Sequence, residues 1–291
     1  MPDYTSIEEL VTLAQKQQIS LGKLVLADQS AQLEITQEAL LHTIDQRLTV
    51  MEEAARNGLR EDIRSTSGLT GGDGWRMYTY EQNALSGPFC AKAVAIALAV
   101  AEHNAAMGRI VASPTAGSCG ILPGAILPMM ALHGVSRQDA CLALLCAGGI
   151  GLVIAQKATI SGAEGGCQAE CGAAAAMASA ALVELCGGSP RQCAHAVAIA
   201  LKNQLGLVCD PVAGLVEVPC IKRNAGGVMC AITAADMALA GIQSVIPADE
   251  VVQAMGEVGA SLPCSLRETA QGGLAATPTG LRLAEQIFGT R

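Results

Sequence analysis

Two cysteines close the stretch "CDPVAGLVEVPC", residues 209 to 220, and between them stand two prolines, an aspartate, a glutamate and a glycine. Two further loops carry thiols among polar residues: "SGAEGGCQAECG" with Cys167 and Cys171, and "EVPCIKRNAGG", which runs on from Cys220. Thiolates ligate soft metals. The spacings 167 to 209 and 209 to 220 match neither the paired CxxC of a zinc ribbon nor the compact run of a ferredoxin, so any site these thiols form is assembled in space. Pro211 and Pro219 block helix continuation, and the backbone at Cys209 and Cys220 is expected to be extended, which would aim the sulfurs in advance. Plain packing of small apolar cysteines stands beside this reading.

A second kind of loop, "SGLTGGD" (67 to 73), combines hydroxyls with glycines, which allow positive φ and close backbone approach to a small anion. It lies in the segment 65 to 90, read as a loop, which holds five glycines and four of the chain's six aromatic residues. An ordinary glycine-rich linker is the alternative. The four histidines, His42, His103, His133 and His195, fall in helix-like stretches outside these loops, where packed or solvated roles are expected.

The elements that must position these loops read as helices. Ser6 and Glu9 form a capping-box pattern ahead of Ile7, Leu10, Val11 and Ala14, and a second amphipathic helix runs from Thr36 to Gly58. From 91 onward, glycines and prolines punctuate helices at about 91 to 108, 125 to 134, 138 to 157, 168 to 186, 190 to 204, 226 to 241 and 248 to 258. Residues 1 to 64 carry 11 acidic and 6 basic side chains, whereas 91 to 200 carry 10 charged residues in all, so the first section is expected at the periphery and 65 to 291 as the core. No alternating βα pattern and no internal repeat is present. The expected architecture is all-α: a single helical domain, 1 to 291, whose loops converge on one site.

Composition agrees. Half of the 291 residues are hydrophobic but only 2% are aromatic, which favours helices packed through Ala, Leu, Val, Ile and Met. A net charge of -8 with no basic run argues against nucleic acid and anionic membrane surfaces as partners. Mean hydropathy is +0.39. Even so, "ACLALLCAGGIGLVIA" (140 to 155) is shorter than the roughly 20 residues of a spanning helix, and a buried helix is expected there. "MPDYTSIEELV" lacks the basic start and apolar stretch of a signal peptide, and a cytoplasmic location follows as the expectation. There, reductants would keep the twelve cysteines free of disulfides.

Taken together, "SGLTGGD", "NAAMG", "SPTAGSCGILPG", "SGAEGGCQAE", "LKNQLGLVCDPVAGLVEVPCIKRNA" and "LRETAQGGLAATPTG" resemble the α-chain of iron-sulfur-dependent L-serine dehydratases, and the resemblance runs essentially from end to end. It implies an oxygen-sensitive 4Fe-4S cluster on Cys167, Cys209 and Cys220, with the fourth iron free of protein thiolate and able to act as a Lewis acid. It also implies β-elimination of water from L-serine, giving pyruvate and ammonia. Such a reaction needs a clamp on the substrate carboxylate. Residue chemistry and motif position nominate Ser67, Thr70 and Gly71, then Ser113 and Thr115, then the cationic pair Lys222 and Arg223, for which an ion pair is the alternative. In resembling enzymes the histidines held to abstract the proton lie on a β-chain or β-domain, so the general base is expected on a partner β-chain. Cys119 and Cys171 depart from the family pattern, and Cys171, one turn past Cys167, could ligate in its place. Single-chain relatives end in a cysteine, whereas this sequence ends "FGTR", which sides with the two-chain branch.

Three rival readings remain at this level: a pyridoxal-phosphate dehydratase, disfavoured by six lysines and no βα pattern; a cysteine desulfidase on a similar cluster; and a non-catalytic helical metal-binding subunit.

Overall fold

A computed structural model describes residues 4–289; Met1 to Asp3, and the Thr290 and Arg291 of the closing "FGTR", lie outside the described residues. Its centre is α9 (Ala173–Leu185), "AAAAMASAALVEL", in which every residue from Ala173 to Val183 is buried. Alanine has the highest helix propensity and the smallest side chain of a helix former, so four neighbours can approach this helix closely. They are α6 (Ile121–His133), α7 (Arg137–Lys157), α10 (Pro190–Lys202) and α11 (Cys220–Leu239). An outer tier completes the packing. The helices α2 (Leu21–Gln32) and α3 (Gln37–Gly58) lie on α7, α5 (Gly87–Ala105) lies on α3, α6 and α11, and α1 (Ile7–Gln17) and α12 (Ala248–Ser261) cover α10. Among the described residues there is no strand, and the fold is all-α as expected.

The helix starts follow from their caps. Ser6, Ser20, Thr36, Ser136, Ser189 and Thr277 each accept a backbone N–H of the first turn, satisfying a donor that has no partner within the helix. At α1 the Ser6 cap forms, while the Glu9 carboxylate takes the Thr5 N–H and hydroxyl. The outer helices bury one face completely: Ile7, Leu10, Leu21 and Leu48 are fully buried and join the same continuous core as α7, α9 and α10.

Several boundaries differ from the sequence reading. The expected loop 65 to 90 contains α4 (Asp73–Thr79) and a 3-10 turn (Glu81–Asn83), and α5 already begins at Gly87. The buried Glu102 carboxylate caps α4 by accepting the Asp73 and Gly74 N–H groups at 2.8 and 3.1 Å, a long-range cap that no local pattern announces. Helix α6 begins at Ile121 and tolerates Pro128 inside, and α2 is additional. Helix α11 begins at Cys220, so Lys222, Arg223 and the glycine pair 226 to 227 are helical and do not form a loop. Both α7 and the segment Ala116–His133 are long and apolar enough to cross a membrane, but 67% and 61% of them is buried inside the fold, so their apolar surface is spent on internal packing.

Candidate functional site

Four chain segments meet at one end of the α6, α9 and α11 group. Cys167 precedes a π-helical turn (Gln168–Gly172) that leads into α9. Cys209 follows α10 on an extended segment that pairs with 266 to 268: its N–H donates to the Leu266 carbonyl at 2.9 Å, and its carbonyl accepts the Glu268 N–H at 2.8 Å. Cys220 is the first residue of α11, and Thr115 precedes the 3-10 turn Ala116–Ser118 that enters α6. Helix N-termini carry partial positive charge, so this end favours anions and thiolates. The extended backbone expected from the prolines is present at Cys209 only, because a proline is tolerated just before a helix starts and Pro219 is the N-cap of α11.

Buried polar side chains fix these segments to one another. Gln168 is fully buried and fully engaged: its amide donates to the Gly165 and Met255 carbonyls and accepts from the Gly206 N–H. Asn224 joins α11 to the entry of α6, accepting the Gly120 N–H at 2.8 Å and donating to the Gly117 and Cys220 carbonyls at 2.8 and 3.0 Å. Asp210 takes Arg223 Nη2 on one oxygen and the Leu274 N–H on the other, both at 2.8 Å. Gly273, at φ +60, lies against this carboxylate, where an added Cβ would come within 2.3 Å of Oδ2. The motif "LRETAQGGLAATPTG" is thereby part of the site.

Cys167, Cys171, Cys209 and Cys220 are all buried. Cys167 Sγ and Cys171 Sγ are 3.5 Å apart. Hydrogen bonds from Cys171 and Cys209 hold the Cys167 thiol far below its ordinary range, with the Arg223 guanidinium adding to the effect, whereas Cys171 and Cys209 are pushed up as its donors. Burial pushes Cys220 up to about 12, helped by the negative charge at Cys167 and Glu170. Cys119 lies apart, packed with Ala54, Ala55, Ile96 and Val100, and burial pushes it up to about 12. Among the described residues no group of three His, Cys, Asp or Glu side chains is close enough to hold a single metal ion.

Two carboxylates that the sequence reading did not nominate stand in the cysteine loops, the half-buried Glu170 and the buried Glu217, and each is held by one of the hydroxyl loops. Thr115 Oγ1 donates to Glu170 Oε1 at 2.7 Å, and Cys209 Sγ lies 3.9 Å from Glu170 Oε2. Burial pushes Glu170 up to about 7, with Cys167 and Glu268 adding and the Thr115 bond opposing. Ser67 Oγ and Thr70 Oγ1 donate to Glu217 Oε2 at 2.7 and 3.1 Å, which ties "SGLTGG" to the segment between Cys209 and Cys220. The signal for both acids was their place inside the quoted cysteine motifs.

The other nominated residues have definite places. Gly71, at φ +143, packs so closely on Ile63 that an added Cβ would be 2.0 Å from its carbonyl oxygen. The buried Ser113 hydroxyl has no partner among the described residues. Lys222 pairs with Asp73 at 2.8 Å, and Arg223 is occupied by Asp210 and the Val208 carbonyl. The histidines are engaged elsewhere: His42 with Gln46, His133 edge-on to Phe89, His195 Nδ1 accepting the Ser244 N–H, and His103 against Gly108.

Comparison with known proteins shows the family. Residues 16–275 match the family model described as "Serine dehydratase alpha chain". A probable L-serine dehydratase alpha chain of Bacillus subtilis is 50% identical over 288 residues, covering 98% of this chain and 96% of the relative. The L-serine dehydratase alpha chain of Peptoniphilus asaccharolyticus is 45% identical over 282 residues, covering 96% and 97%. L-serine dehydratase 1 of Escherichia coli is 48% identical over 182 residues, which are 62% of this chain but 40% of that longer protein. With its motifs gathered at one end of the helical core and a family match across most of its length, the chain belongs to the serine dehydratase alpha-chain family.

Proposed function

We propose that this chain is the catalytic α-subunit of an L-serine ammonia-lyase that converts L-serine to pyruvate and ammonia in the cytoplasm. In this reading Cys167, Cys209 and Cys220 hold a 4Fe-4S cluster and a β-chain completes the active site. The observation that carries it is the buried meeting of these three cysteines, which are far apart in sequence, in a chain 50% identical to an alpha chain of that name. The donor chemistry supports the cluster: soft thiols enclosed by protein, a Cys167 that already favours the thiolate, one guanidinium nearby, and three converging helix N-termini. A four-iron cube is wider than one ion, so its cysteines need not converge on a common point. When bound, it would supply Lewis-acid assistance to departure of the substrate hydroxyl.

The protein's own part is positioning and charge. Ser113 Oγ, buried with its donor unused, is the nominated hydroxyl that we assign to the substrate carboxylate, while the Gly120 amide at the entry of α6 is already held by Asn224. Lys222 and Arg223 would act on it only through the field they leave after pairing with Asp73 and Asp210. Glu170, raised by burial to about 7, accepts from Thr115 on one oxygen and from the Cys209 thiol on the other. The base comes from the β-chain, a role supported by the engagement of His42, His133 and His195 with Gln46, Phe89 and Ser244, while the His103 ring packs on Gly108.

The test is anaerobic reconstitution of wild type and of Cys167→Ser, Cys209→Ser and Cys220→Ser, read by iron and sulfide per chain and by pyruvate release with and without the β-chain. Each of the three should lose iron, and wild type should turn over L-serine only with its partner. Full iron content in any of the three would remove that cysteine from the ligand set. Retention by Cys167→Ser with loss by Cys171→Ser would move the ligand one helical turn.

A further inference from the structure

The charge inventory of the site has one unanswered group. Glu217 is 5% exposed and stands three residues before Cys220. Both of its hydroxyl donors, Ser67 Oγ and Thr70 Oγ1, go to Oε2; Oε1 receives no donor among the described residues. The nearby cations are spent on other acids, Lys222 on Asp73 and Arg223 on Asp210. The two neighbouring acids, buried Asp210 and half-buried Glu170, differ in this respect. Asp210 engages both oxygens, with Arg223 and the Leu274 amide, and Glu170 engages both, with Thr115 and Cys209. Ser113 Oγ is an enclosed hydroxyl without a partner, whereas Glu217 Oε1 has no protein donor and is not enclosed, so this oxygen is open to a donor from outside the protein while the rest of the side chain is covered.

We propose that Glu217 is the residue that selects a substrate bearing an ammonium group, with Oε1 accepting from the α-ammonium of the amino acid. The inference rests on the dehydratase reading for the identity of the substrate. It divides recognition between two loops: Ser113 receives the carboxylate end, and the acid held by "SGLTGG" receives the cationic end. It also gives Ser67 and Thr70 a role different from the carboxylate clamp. By occupying Oε2 they orient the carboxylate so that the other oxygen is free for the ligand. Lactate-like and hydroxypropionate-like acids, which offer the same carboxylate without the ammonium, would be discriminated against because they bring no donor to Oε1 and set a like charge in the same site.

The experiment compares L-alanine with propionate, which differ by the ammonium alone and have no leaving group, by calorimetric titration of the reconstituted αβ complex. Wild type should bind L-alanine at least about 10-fold more tightly, the scale of a hydrogen bond to a charged group. Glu217→Gln keeps the volume and an acceptor for both hydroxyls; in it the preference should shrink to about twofold or less and the KM for L-serine should rise about 10-fold, with iron content unchanged. In the Ser67→Ala, Thr70→Val double variant the charge remains but the hydroxyls that orient it are gone, so the preference for L-alanine should weaken yet stay above that of Glu217→Gln. Absence of the preference in wild type, its survival in Glu217→Gln, equal weakening of both ligands there, or a double variant unchanged from wild type would each overturn the proposal. Because neither ligand reacts, the comparison stands apart from turnover; a complex that releases no pyruvate from L-serine would refute the dehydratase reading instead.

Discussion

Replacing Arg223 by methionine tests the electrostatic frame of the site. The guanidinium donates to Asp210 Oδ1 at 2.8 Å and to the Val208 carbonyl at 2.8 Å, and the side chains are 16% and 4% exposed. Methionine fills most of the same space but leaves Asp210 charged, buried and held by the Leu274 amide alone. Breaking a buried pair from one side costs about 3–5 kcal/mol, and the partial exposure of Arg223 places this case at the lower end, about 3 kcal/mol. An unfolding entropy of about 2.1 cal/mol/K per residue gives a chain of this length about 0.6 kcal/mol/K, so the melting temperature should fall by about 5 °C. The assay is thermal unfolding of wild type, Arg223→Met, Asp210→Asn and the double variant, all at one state of iron loading and one concentration. The double variant should be more stable than the sum of the single losses predicts, by at least about 1 kcal/mol, because neutralising Asp210 removes the orphaned charge. A shift under about 1 °C in Arg223→Met, or strictly additive losses, would refute the assignment of this pair as the tie between α11 and the Cys209 segment.

Two further outcomes follow from burial and backbone geometry. Glu184 is half-buried beneath the start of α2, where it accepts the Gly22 N–H and the Ser20 hydroxyl, and desolvation raises its pKa above the ordinary 4.5. The native state therefore holds this proton more tightly than the unfolded chain, so the stabilising contribution is complete in acid below about 4.5 and is lost as pH rises through the native value. The stability of wild type relative to Glu184→Gln, read from urea midpoints, should fall as pH is raised from 4 to 7; a rise would contradict the assignment. Gly71→Ala should cost roughly 1–3 kcal/mol through backbone strain alone, and more through its collision with Ile63, exposing 65 to 72 to limited proteolysis. Unchanged proteolysis and melting would show that the loop adapts.

Much of this protein is written locally. The Ser6, Thr36, Ser136 and Ser189 caps, the alanine-rich α9 and the glycine and proline breaks depend on neighbours within a few residues, where hydrogen bonding and side-chain entropy act directly. The same holds for the all-α class, which follows from few aromatics and helical periodicity. The cysteine loops were legible as places where chemistry could occur, because prolines and glycines interrupt the helices there. The start of α11 was not, since "IKRNAGG" carries two glycines that oppose a helix, and packing against α5, α9 and α10 overrides that preference. Nor was α4, whose cap comes from Glu102 on another helix.

What the amino-acid sequence determined by itself was which residues were available: soft thiols, hydroxyl-bearing glycine loops and scarce charges, set among helices whose short-range signals are strong. Only the tertiary structure decided which of them meet. It gave Arg223 to Asp210, Lys222 to Asp73, Thr115 to Glu170, and Ser67 with Thr70 to Glu217, pairings across up to 150 residues. The reason is physical. A charge or hydroxyl taken out of water must find its partner wherever packing brings one near, and that choice is made by the whole core at once.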